Sequence, residues 1–512
     1  GFQPLTIPTA QTGRVIPSPD RFMNVMPYSG TNNSGNINVT STDTNFTPDF
    51  VWVKTRTGGN EPSAAYDSVR GANKRILPSA TTGEVTTSAN DLNAFIPGGF
   101  TVNGQNGHIY NNGYTHVAWM WKAGGKDGSN DFNIDDVGYA SASNVNMSVG
   151  ALNSVAYNSS KTWSNSINAT NNPTNAFDGN TGTYAQNPNN TMVSQIVLKD
   201  IGGLSGRVRV WVGGSGGNRY MFNLNDGTTV TTATNWGGGW VNVGVSSNIH
   251  SITVTRINGS DTLPTNECMV YAYEIDGKML LDPGVSAPVN IPTIATTGCS
   301  VGTEQGFSII KYAYSSGSYA KIAHGLTQKP EFMLNKALGG TTNWNAYHAD
   351  AYGAGGGAET GRFTLNNANS YTNESDVWYN TPPTDTHFTI GPASWHGTGD
   401  HIMYLWHSVP GFSKFGKYIA NNSADGPYIE LGFRPALVVT KSITQGNPWN
   451  VWDTGRSPTN PTNNGLQWDS NGQEYNTTDR IDILSSGFKV RAGSGTEPNV
   501  GTNAYVYAAW AE

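Results

Sequence analysis

Three stretches of this 512-residue chain spell nearly the same strand: PDFVWVK over 48–54, PEFMLNK over 330–336 and PALVVTK over 435–441. A repeated strand restricts the fold more than any other feature, because self-similarity along a chain means one structural unit used several times. Each stretch begins a longer series. PSAAYDSVRG from Pro62, WNAYHADAYG from Trp344 and WNVWDTGRSP from Trp449 come next. FIPGGFTV, TDTHFTIG and ILSSGFKV follow, ending at Val102, Gly391 and Val490. HVAWMWKAGG from His116, HIMYLWHSVPG from His401 and AYVYAAWAE from Ala504 close the copies. From the first Pro to the closing Trp the copies span 73 (Pro48 to Trp121), 76 (Pro330 to Trp406) and 75 (Pro435 to Trp510) positions.

Alternation gives the fold class. In an extended chain Val117, Trp119 and Trp121 share one face while Ala118 and Met120 share the other, so both faces of the closing strand are apolar, as in a central strand of a packed sandwich. Ile402, Tyr404 and Trp406 repeat the pattern, and so do Val506, Ala508 and Trp510. Each buried Trp adds about 1.5–3 kcal/mol or more of transfer free energy, enough to fix register in sheets otherwise rich in Thr and Ser. The Pro that opens each copy stands at the first strand position, where a missing N–H costs the ladder nothing. Copies two and three are entered through GFSIIKYAYSSGS and GFSKFGKYIANNS, and copy one through RFMNVMPYSGTNNSG, with Arg21 in place of the Gly. Low charge (13%), 62 Gly and 11% aromatics favour β-structure with polar turns over helix. The expected fold is all-β: tandem antiparallel β-sandwiches, three related repeats over 21–129, 306–410 and 411–512, stacked in series. An arm over 1–20 precedes them.

Between the first and second copies the repeat stops, and a different domain is expected over 130–284, followed by a linker over 285–305. Its strands SQIVLKD, GRVRVWVGG, HSITVTRI and VYAYEIDGKML, separated by Gly, Asn and Thr turns, read as an inserted jelly-roll sandwich. The loop in NPTNAFDGNTGTYAQ offers the Asp178 carboxylate, the Thr183 hydroxyl and carbonyls freed by glycine turns, an oxygen set that calcium tolerates, and Glu274 supplies a second carboxylate. An Asx-turn with Asp178 bonded to its own backbone and no ion fits the same residues. Trp163, Trp236 and Trp240 lie in Gly/Asn-rich segments, where an aromatic face beside amides stacks sugar rings; packing at loop bases is the competing role.

Other chemistry is thin. A net charge of −7 with scattered Lys and Arg gives no field for phosphates, so nucleic acid is not an expected partner. No run of roughly eighteen apolar residues occurs, so no membrane insertion is expected. Cys268 and Cys299 exclude a disulfide framework and read as two buried thiols rather than one bridge. His396, Asp400, His401 and His407 cluster in WHGTGDHIMYLWH, but two of these histidines flank a buried strand, and loop or strand-edge roles outweigh a metal site. Asp135 and Asp136 read as a solvated linker. No HExxH or phosphate loop occurs, and no catalytic residue is assigned.

The insert resembles the discoidin-like, coagulation-factor type C group of carbohydrate-binding sandwiches through NAFDGNTGTYA and AYEIDG. That resemblance implies calcium in the loop, carried onto Asp178, Thr183 and Glu274, and sugar binding at distal loops; Tyr184 stands where the group's Trp is usual. The flanking copies resemble a repeat domain of unassigned biochemical function in virion proteins of marine tailed bacteriophages, often cyanophages, through FTPDFVWVKTRTGG, AYDSVRGANKRIL and the chain ending at Ala509 to Glu512. The resemblance implies a non-enzymatic virion protein, in a tail fibre, tail appendage or capsid surface. It implies partnership with copies of itself, a trimer if a fibre, and with other virion proteins. Two further functions stand beside it: an adhesin holding host surface glycan through the insert, and a polysaccharide-degrading tailspike whose paired acids come from distant loops.

Overall fold

The first copy folds on its alternating strands. Met23–Ser29, Thr115–Trp121, Phe50–Thr57 and Ala64–Asp67 lie side by side in that order, all antiparallel. A second sheet of Asn36–Thr40, Gly99–Asn103 and Leu92–Ile96 faces them. Met26, Val51, Val53, Ala118 and Met120 fill the space between with Leu92, Phe100 and Val102. The structure, a computed structural model, describes residues 16–33, 35–87, 91–126, 128–142, 145, 147, 152–153, 158–164, 172–187, 194–213, 218–225, 227–232, 238–258, 268–275, 278–283, 285, 292–352, 356–491 and 497–512.

The other copies repeat the front sheet in the same register. Phe307–Tyr314, Gly399–Trp406, Phe332–Ala337 and Asn345–His348 form it in copy two. Ser413–Ile419, Ala504–Trp510, Leu437–Ser442 and Asn450–Asp453 form it in copy three. In each, the first apolar residue of the Pro-led strand sits between the closing Trp and the end of the next strand. Phe50 lies between Trp121 and Asp67, Phe332 between Trp406 and His348, and Leu437 between Trp510 and Asp453. The all-β sandwich reading is what the chain adopts.

The copies do not stand in series as separate stacked blocks. Residues 1–139, 296–320 and 324–512 form one compact unit. The reason lies in the second apolar face of each closing strand. Ala118 and Met120 complete the first copy's own core, whereas Trp121 turns the opposite way and meets its counterparts. Ring centroids of Trp121 and Trp406 are 6.2 Å apart, of Trp121 and Trp510 5.5 Å, and of Trp406 and Trp510 6.0 Å, all edge to face. That geometry suits the indole quadrupoles. Phe50 stacks on Tyr404 at 4.4 Å, and Phe332 on Phe415 at 5.9 Å. A sandwich whose front sheet is apolar on both faces buries the outer one only against another sheet; here the other copies provide it.

Residues 140–295, with 321–323, form the second unit. Its sheet runs Leu152–Asn153, Lys278–Leu281, Cys268–Ile275, Ser194–Val212, Gly239–Asn258, Asn218–Leu224 and Thr228–Thr231. Val208, Val210 and Val212 alternate inward with Val241, Val243, Val270 and Tyr273. The strand Phe132–Ile134 pairs with Thr296–Gly302, placing both in the repeat unit. Neither Cys268 nor Cys299 is in a disulfide; both are buried, and burial pushes each thiol up to about 12. No helix among the described residues is long and apolar enough to cross a membrane.

Candidate functional site

The polar residues of the repeat motif are the first place to look for chemistry. The Lys that ends each Pro-led strand is fully buried, and its ammonium reaches into a neighbouring copy. Lys54 Nζ donates to the Ser470 carbonyl at 2.6 Å, Lys441 to Ala368 at 3.0 Å, and Lys336 to Thr81 at 2.8 Å. The first copy thus holds the third, the third the second, and the second the first. Each ammonium also donates to a carbonyl of its own copy, Glu61, Asn447 or Thr342. Burial pushes all three down to about 8. An amine so enclosed would serve as a base only if a substrate reached it; carbonyls surround it instead.

The Asp-x-x-Arg of DSVRG and DTGR closes the ring. Arg70 Nε donates to Asp67 at 2.5 Å and Arg456 Nε to Asp453 at 2.7 Å, with all four side chains at 0% exposure. The second oxygen of each carboxylate takes the Arg main-chain N–H. Each carboxylate then accepts from another copy: Asp67 from the Tyr404 hydroxyl at 2.6 Å, Asp453 from the Trp119 indole at 3.0 Å. Copy two has His348 at this place, and its Nε2–H donates to the Tyr507 carbonyl at 2.9 Å. Every pair of copies therefore shares a buried polar contact in addition to the rings.

The histidine cluster is structural in the same sense. His396 accepts from the Asn345 amide at 3.2 Å and donates to the Val377 carbonyl at 3.2 Å. His401 donates to Gly397 at 3.3 Å, His407 reaches the Ser408 carbonyl at 3.0 Å, and Asp400 pairs with Lys311. Burial pushes His396 down to about 3, and His116, His348 and His401 to about 4. These rings fold neutral. An unfolded His binds its proton near pH 6.5, so between there and about pH 4 the unfolded chain holds more protons than the folded one. Stability from these four groups is present above pH 6.5 and lost as pH falls, by about 1.4 kcal/mol per pKa unit for each ring. Asp469 and Glu497, pushed upward by burial, act in the opposite sense at the acid end. Urea unfolding midpoints from pH 7 to pH 5 should therefore fall steeply, and a flat profile would contradict neutral buried rings.

In the insert, the Asp178 loop is an Asx-turn. Oδ1 accepts the Asn180 N–H at 2.8 Å and Oδ2 the Thr183 hydroxyl at 2.5 Å. Asp178 and Thr183 are thus brought together as the loop sequence suggests. Glu274 faces Arg209 on the adjoining strand, and both its oxygens take guanidinium N–H at 2.6 Å. The carboxylate that a calcium cage needs from Glu274 is held by Arg209. Among the described residues no group of three or more His, Cys, Asp or Glu is placed to hold a metal ion. Trp240 meets Trp211 edge to face at 5.5 Å, packs against Ala272, Met279 and Leu281, and carries Arg209 4.8 Å from its ring. Trp163 lies on a strand opposite Val197, with its side chain outside the described residues, and Trp236 lies wholly outside them.

Four exposed aromatics of copy two, Tyr319, Tyr352, Tyr379 and Trp395, escaped the sequence reading. The available signal was local: WY in DVWYNTPP and WH in ASWHGTG place two large rings side by side in Gly/Pro-rich loops, where only one can turn inward.

Fold and site together define an all-β protein in which three related sandwiches share one core and carry an inserted β-unit. The chain belongs to the family described as a domain of unknown function, DUF7483, whose sequence profile matches residues 18–172 and 284–512. The matched parts leave out most of the insert. No curated protein matches the chain.

Proposed function

We propose that the chain is a non-enzymatic structural protein of a bacteriophage particle, in a tail fibre, tail appendage or capsid surface, where it contacts other virion proteins and copies of itself. One observation carries the reading. The ionisable residues that recur in the repeat, the three lysines and the Asp–Arg pairs, are engaged in joining copy to copy. A repeat whose recurring polar groups face one another supports rigidity rather than turnover. The motif likeness to phage virion repeats supports the location. With three copies closed on one core, the part played is that of a rigid block carrying the insert. Immunogold microscopy of particles from a phage encoding this chain should place label on the particle; label confined to the host cytoplasm would end the proposal. Incubating the purified chain with host envelope polysaccharide should release no new reducing ends, and a rise would favour a degrading tailspike.

A further inference from the structure

Three loops of copy two are tied into one surface. The Ser316 N–H donates to the Thr398 hydroxyl at 3.0 Å, and the Ser316 hydroxyl donates to the Ser394 carbonyl at 3.1 Å. The Tyr314 hydroxyl lies 2.8 Å from the carbonyls of both Ser318 and Gly391. The Gly391 N–H donates to Val377 at 2.8 Å and the Ala393 N–H to Asp376 at 3.2 Å. Each loop turns one large ring outward: Tyr319 is 37% exposed, Tyr379 51% and Trp395 42%.

The backbone explains why these rings point out. Val377 and Trp378 are buried, with Trp378 edge-on to Tyr347 at 5.9 Å. The loop presses so closely on Gly391 that a Cβ there would lie 2.1 Å from the Asp376 carbonyl. Tyr379 and Asn380 then follow with φ of +54° and +47°. Asn tolerates that region, whereas a bulky Tyr is uncommon in it and costs free energy that Gly would avoid. The fold gains little burial from a ring half in solvent, and local strain without a packing gain is a mark of a functional position. Tyr319 lies beside it, ring centroids 5.0 Å apart. In the third loop buried His396 fixes the turn, and Trp395 projects with the Arg362 guanidinium 6.0 Å from its ring. Arg362 is itself held by Glu374 at 2.5 Å and Asn345 at 2.6 Å.

We propose that Tyr379 and Trp395, with Tyr319, form a docking platform for a neutral polysaccharide strand. Pyranose C–H faces stack on such rings while sugar hydroxyls reach neighbouring hydroxyls and amides, here those of Ser316, Asn380, Thr381, Ser394 and Thr398. Loops 315–319, 374–381 and 391–398 carry Glu374 and Asp376 and no Lys or Arg, which disfavours a polyanion. The large apolar side chains they expose are all aromatic, and such ring faces stack on sugars. The inference rests on the non-enzymatic reading in expecting binding without cleavage.

The test is electrophoresis of the full chain through native gels cast with laminarin, dextran, xyloglucan or galactomannan, with alginate as the anionic comparison. At least one neutral polymer should retard the protein. Tyr379→Ala and Trp395→Ala should each weaken that retardation at least tenfold, and Trp240→Ala should leave it unchanged. Tyr379→Gly should abolish it while raising the unfolding midpoint, which a merely structural tyrosine would not do. The platform is overturned by retardation in no neutral gel, by retardation in alginate alone, by indifference to both platform variants, or by loss in Trp240→Ala. Release of reducing ends with retardation intact would overturn only the non-enzymatic reading.

Discussion

Trp406→Ala should destabilise the protein by about 4 kcal/mol, within the range for truncating a buried aromatic, and the damage should appear in all three copies. Trp406 stacks on Phe307 with centroids 4.6 Å apart and planes 9° from parallel, and on Phe332 at 5.6 Å. It also meets Phe50 and Trp121 of the first copy and Trp510 of the third. Removing it opens a void where three sheets converge, and interiors packed at crystal density relax only partly into such a space. Urea unfolding followed by probes in separate copies should give coincident transitions at a lowered midpoint. Trp395→Ala, in the same copy but 42% exposed, should shift stability by about 0.5 kcal/mol or less.

Asp67→Ala is the second large effect, at about 3 kcal/mol, because it leaves the buried Arg70 guanidinium only the Glu84 carboxylate, 3.4 Å from Nη1, as counter-charge. Asp67→Asn should cost less, since the amide oxygen still accepts the Tyr404 hydroxyl. That hydroxyl belongs to another copy, so a double-mutant cycle of Asp67→Ala with Tyr404→Phe isolates the joint. A coupling of about 0.5–3 kcal/mol is expected for partners in one buried network; strict additivity would mean that the two copies do not meet there.

Much of this was legible in the sequence. The repeat, its strand register and the all-β class follow from the Pro-led strand and the alternation around Trp121, Trp406 and Trp510. Alternation states that both faces of a strand are covered and is silent on what covers them. For that reason the copies read as blocks in series, whereas Trp121 packs against Trp406 and Trp510. The recurrent Lys was the overlooked clue: a charge kept at the inner end of three buried strands at Lys54, Lys336 and Lys441 signals an enclosed partner, though not its identity. In the insert, the Asp178 turn was readable because an Asx-turn is local. The Arg209–Glu274 pair was not, because it depends on which strands neighbour each other, and cross-strand register is a tertiary fact. The exposure of Tyr379 likewise goes with a contact outside its own loop, the close approach of the Asp376 carbonyl and Tyr379 N–H to Gly391.

Native-state hydrogen exchange across a series of sub-denaturing urea concentrations tests the shared core most directly. If the three sandwiches close on one another through Trp121, Trp406 and Trp510, the amides of Phe50–Thr57, Phe332–Ala337 and Leu437–Ser442 should exchange through one opening, with one free energy and one urea dependence. A copy that opens alone, at lower free energy and with a shallower urea dependence while the other two stay protected, would contradict the account.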